Sequence, residues 1–86
     1  MEPIIPFWFR QRQGKMEPAG ANAYRLTAPN LGEAFISIRQ TEDTRWRPAL
    51  RLQSDGPEVD GSEVDLTSAQ EAWEAAFELY RRRMVV

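Results

Sequence analysis

Residues 67–84 read TSAQEAWEAAFELYRRRM, and this stretch decides the fold. Ala69, Ala72, Trp73, Ala76, Phe77, Tyr80 and Met84 recur at i, i+3, i+4, i+7 spacing, which makes one apolar stripe of an α-helix. Thr67 or Ser68 is placed to cap the helix, and Gln70 or Glu71 three residues on completes a capping box. Glu71, Glu74 and Glu78 come early and Arg81, Arg82 and Arg83 late, the order the helix dipole favours. Small alanines between Trp73, Phe77 and Tyr80 let a helix over 67–84 lie close against a sheet.

The sheet is read upstream of it. Residues 34–40 and 46–53 alternate, with Ile36 and Ile38 on one face of the first and Trp46, Leu50 and Leu52 on one face of the second. Residues 5–12 and 23–28 read as two more strands around a Gly-, Pro- and Asn-containing connection, 13–22, and Pro29-Asn30-Leu31-Gly32 links onward. If 34–40 pairs with 46–53 as a hairpin, the isoleucines must face even-numbered partners, Ile38 opposite Trp46 or Pro48. The loop then has an odd number of residues, three or five, with five (41–45) preferred, because a one-residue slip turns a whole face outward. Pro48 lacks a ladder donor, which implies an edge position or a bulge. The expected fold is therefore α+β: one domain over 1–86, a four-stranded, mainly antiparallel meander with a C-terminal amphipathic helix packed on one face.

Residues 54–66 form an acidic connection holding a short tandem repeat, Gly56-Pro57-Glu58-Val59-Asp60 and Gly61-Ser62-Glu63-Val64-Asp65, with a brief edge strand expected near 64–66. Its acids, Asp55, Asp60 and Asp65, are five apart and do not meet the alternating ligand spacing of an EF-hand loop, so a solvated surface loop is expected rather than a metal site. Charge divides along the chain. Residues 1–53 carry eight basic and five acidic side chains, net +3, and residues 54–86 carry three and eight, net −5, which sum to the overall −2.

At 86 residues the chain is long enough for one lean core. It contains no cysteine and no histidine, which excludes disulfides, thiol nucleophiles, zinc fingers and His general bases. Ser37 and Ser62 thus have no His partner, Lys15 falls in a loop, and no Gly-rich phosphate loop or nucleophile elbow is present. No catalytic residue, cofactor or metal is expected. The apolar stretch 4–9 is short, broken by Pro6 and preceded by Glu2, so it is expected to be neither a signal peptide nor a membrane span. The default expectation is a bacterial-type cytoplasmic protein.

The second sheet face is more informative. With Tyr24, Leu26, Ile36, Ile38, Trp46, Leu50 and Leu52 turned to the helix, Arg25, Phe35, Arg39, Arg47 and Arg51 face away. With Phe7 and Phe9 inward, Trp8, Arg10 and Arg12 join them. One helix covers one side of a sheet, so this face meets water or a partner. The plainest account is a solvated face on which arginine stems cover Trp8 and Phe35. Trp, Phe and Arg are also the types enriched at protein interfaces, and arginine with aromatics suits nucleic acid. The expected partner is an unidentified protein or a second copy in a weak homodimer, with nucleic acid as the alternative and no membrane.

Over residues 34–84 the order strand–strand–short strand–helix, with Trp46 in an alternating strand and Leu66-Thr67 followed by Glu71-Ala72-Trp73, resembles the sheet-plus-helix domains of plant AP2 factors and phage-integrase arm-binding domains. That resemblance implies a three-stranded sheet that contacts DNA, with Arg39, Arg47 and Arg51 as the contacts.

Overall fold

The computed structural model describes residues 4–29, 31–53, 56–61 and 66–84. In chain order they form α1 (Phe7–Gln11), β1 (Lys15–Pro18), β2 (Ala23–Ala28), β3 (Leu31–Glu42), β4 (Arg45–Arg51), β5 (Glu58–Gly61) and α2 (Ala69–Met84). The five strands make one antiparallel meander in the order β1-β2-β3-β4-β5. α2 packs across one face of β3 and β4. The fold is α+β, with five strands where the sequence reading has four.

α2 begins where the capping pattern puts it. The Glu71 N–H donates to Ser68 Oγ at 3.1 Å, making Ser68 the N-cap, and the Thr67 hydroxyl donates to the Glu71 carboxylate at 3.2 Å. Ala72, Trp73, Ala76, Phe77, Leu79 and Tyr80 are buried along its inner face. They meet Leu26, Ala34, Ile36, Ile38 and Leu50 from the sheet, and Trp73 packs edge-on to Tyr24 with ring centroids 5.3 Å apart.

The central hairpin obeys the parity argument. Ile36 pairs with Leu50 and Ile38 with Pro48. A bulge between Gln40 and Glu42 then shifts the pairing to Glu42 opposite Arg45, leaving Asp43-Thr44 as the turn. The five-residue loop expected at 41–45 is instead a bulge at Thr41, the strand pair Glu42–Arg45 and a two-residue turn. Pro48 lies in an internal strand, not at an edge. On the far side of β4, Ala49, Leu50 and Arg51 pair with β5 and Trp46 bridges Leu66 through two 2.7 Å backbone hydrogen bonds, with Pro48 between the two sets. The ladder interruption tolerates a residue with no N–H.

Four expectations are corrected. Residues 5–12 are not a strand. Pro6 is the N-cap of α1, whose end is a Schellman motif: Gly14 N–H donates to Phe9 O (2.9 Å) and Gln13 N–H to Arg10 O (3.0 Å), with Gln13 left-handed at φ 58°. α1 lies on the helix side of the sheet. Phe9 is fully buried 5.7 Å from Phe77 and 5.6 Å from Tyr80, and Trp8 stacks on Tyr80 at 6.2 Å. Trp8 and Phe9 are therefore absorbed into the core with Ile5 against it, while Ile4 and Phe7 stay exposed. The first strand is β1, inside the segment expected as a loop. Residues 58–61 of the acidic connection form β5, and the edge strand expected at 64–66 falls mostly outside the described residues; only Leu66 is described, as a bridge. Leu52 lies past the end of β4 and is 39% exposed, so it is not core. Among the described residues, no helix is long and apolar enough to cross a membrane.

Candidate functional site

Strand alternation and the pairing register together set out the face opposite α2. Four of the expected residues of this face, Arg25, Arg39, Arg47 and Arg51, are brought together on it with Phe35. Trp8, Arg10 and Arg12 are not: they belong to α1, with Trp8 against the core and Arg10 and Arg12 exposed on the helix side. The reason is the helical turn, which sets Trp8 and Phe9 toward the core and Phe7 and Arg10 toward solvent where a strand would alternate them.

Direct pairing runs Glu17 to Arg25, Arg25 to Phe35, Phe35 to Arg51 and Arg51 to Glu58. These five side chains form one transverse row over all five strands, with an aromatic at its centre, an arginine on each flank and a carboxylate at each end. The carboxylates complete it electrostatically. Arg25 Nη2 is 2.8 Å from Glu33 and Nη1 is 3.8 Å from Glu17, while Arg51 Nη2 is 4.0 Å from Glu58. Such half-exposed pairs contribute little stability, about 0.2–1 kcal/mol each. Phe35 is half-buried between the arginines, and the Nε atoms of Arg25 and Arg51 are shut off from solvent without a hydrogen-bond partner. Both charged groups have already lost part of their hydration.

One step along the strands, Ala23 pairs with Ser37 and Ser37 with Ala49. A further step brings Arg39 opposite Arg47. Short side chains between two taller rows leave a trough of about 250 Å³ floored by Ala23, Ser37 and Ala49, with Arg39 and Arg47 on one bank and Arg51 and Glu58 on the other. Arg39 has no acidic partner among the described residues, whereas Arg47 is engaged within the chain. Among the described residues, no group of three or more acidic side chains is placed to hold a metal ion.

The row and the trough were only partly legible. Parity gave Arg25, Phe35, Arg39, Arg47 and Arg51, but Glu17 and Glu58 come from segments read as loops, and only strand register aligns them. Comparison with protein-family models, with curated proteins and with solved structures finds no match for this chain.

Proposed function

We propose that this chain is a non-catalytic binding module that docks a protein partner through the sheet face opposite α2. The observation that carries the reading is the row Glu17–Arg25–Phe35–Arg51–Glu58. Aromatic residues, Phe among them, and arginine are the types enriched at protein interfaces. Partial dehydration of the two Nε atoms lowers the further cost of covering them. Compensation of Arg25 and Arg51 by Glu17, Glu33 and Glu58 favours a protein over nucleic acid. A phosphate backbone approaching this row meets three carboxylates, and phosphate affinity rests on uncompensated cations. The partner is a cognate protein or a second copy, which sedimentation of the pure chain distinguishes.

The test is site-specific photocrosslinking in native cells. A photoreactive residue at Thr27 on the outer face should give a discrete protein adduct, and one at Glu74 on the exposed side of α2 should not. Phe35→Ala should abolish the Thr27 adduct. Equal labelling from both positions, or an adduct removed by nuclease, would overturn the proposal.

A further inference from the structure

We propose that the trough beside Phe35 receives an extended acidic segment of the partner, its carboxylates paired with Arg39 and Arg51; this rests on the docking reading above. Charge complementarity carries it. Arg39 is exposed with no acidic partner among the described residues, and among the same residues Arg51 is paired with Glu58 alone, at 4.0 Å, a contact a better-placed carboxylate displaces. The two stand on opposite banks of the same cavity. Guanidinium groups bind carboxylates through paired N–H donors, so a planar anion between these banks is the matching ligand.

Size and shape say what carries the carboxylate. A volume of about 250 Å³ is below that of ordinary cofactor and drug-sized sites. The floor of Ala23, Ser37 and Ala49 spans β2 to β4, two strand spacings or about 10 Å, room for about three extended residues. Low side chains there let a peptide backbone approach closely. Phe35, one step along β3 from Ser37, offers an apolar surface to residues alternating with the acids.

The experiment is an NMR titration of the full ¹⁵N-labelled chain with an acetylated, amidated hexapeptide alternating glutamate and valine. A glutamine-for-glutamate version and a single-stranded oligonucleotide serve as the other arms. The acidic peptide should give saturable shifts at the amides of Ser37, Arg39 and Ala49 at millimolar concentration. The glutamine peptide should bind at least tenfold more weakly. Arg39→Gln, and separately Arg51→Gln, should weaken binding by at least fivefold while α2 resonances stay in place. Absence of saturable shifts, equal binding of the two peptides, or stronger binding of the oligonucleotide would overturn the inference. If the peptide fails while Phe35→Ala still removes the Thr27 crosslink, only the acidic-segment inference falls; if that crosslink is also absent, the docking reading falls with it.

Discussion

The ring of Phe9 lies directly over Gly14: a methyl group at residue 14 would stand 2.5 Å from its Cε1, Cε2 and Cζ atoms. That contact closes α1 onto the start of β1, and Phe9 is in turn wedged against Phe77 and Tyr80. The ring has no free space to retreat into. Gly14→Ala should therefore destabilise the domain by about 1–3 kcal/mol through overpacking, measured by urea denaturation. Adding Phe9→Leu should make the double variant lose less than the sum of the two single losses. Unchanged stability of Gly14→Ala would show that α1 does not seat as described.

α2 and the central hairpin were legible because each has a single period. The alanine–aromatic stripe of 69–84 fits only 3.6, and Ile36-Ser37-Ile38 fits only 2. The N-terminus has no such bias. Residues 4–9 are apolar on both strand parities, and short apolar runs do not separate strand from helix by periodicity. Two local signals for α1 were there, Pro6 ahead of the turn and Gly14 after it, but the left-handed residue is Gln13, so the glycine sits one place later than a simple end-of-helix pattern. β1 and β5 are four-residue edge strands whose identity comes from a neighbour to pair with, not from their own sequence. The binding face inherits this split. Its arginines follow from parity, its carboxylates from tertiary register.

Removing the α2 cap should have a measurable cost. Ser68 Oγ takes the N–H of Glu71, which otherwise lacks a partner within the helix. Ser68→Ala should cost about 1 kcal/mol, or about 4–8 °C in Tm for a domain of this size. Thr67→Ala should cost less, since its hydroxyl bonds only the Glu71 carboxylate. The reverse order would move the N-cap to Thr67.

Tyr80 should make the domain sensitive to alkali. Its side chain is fully buried, its hydroxyl has no hydrogen-bond partner among the described residues, and desolvation raises its pKa above the ordinary value of 10.0. Below that value the phenol is protonated in folded and unfolded chains alike, and its contribution is complete. As pH rises further the unfolded chain ionises first, so stability falls until the folded pKa is passed, by at most about 1.4 kcal/mol per pH unit. Tyr80→Phe removes a buried unpaired hydroxyl. It should be as stable as wild type at neutral pH, or more so by about 1 kcal/mol, and should decline less steeply above pH 10. Parallel declines would mean that the phenol reaches solvent or a partner.

Phe35 and Ile36 are sequence neighbours with opposite duties. Ile36 is fully buried under α2, paired with Tyr24 on one side and Leu50 on the other. Phe35 is half-buried on the other face between Arg25 and Arg51. Ile36→Ala opens a cavity in a close-packed layer and should cost about 2–5 kcal/mol, a large part of what a small domain has. Phe35→Ala leaves no enclosed cavity and should cost about 1 kcal/mol, as a change outside the core. Binding should show the opposite ranking: a Phe35→Ala domain that melts near the wild-type temperature should lose the outer-face crosslink. Arg51→Ala should weaken the same crosslink without removing it, because an anchor's loss is felt more than that of its flank. If Phe35→Ala instead unfolds the domain as far as Ile36→Ala does, Phe35 is serving a second hydrophobic layer, and the face opposite α2 is part of the interior.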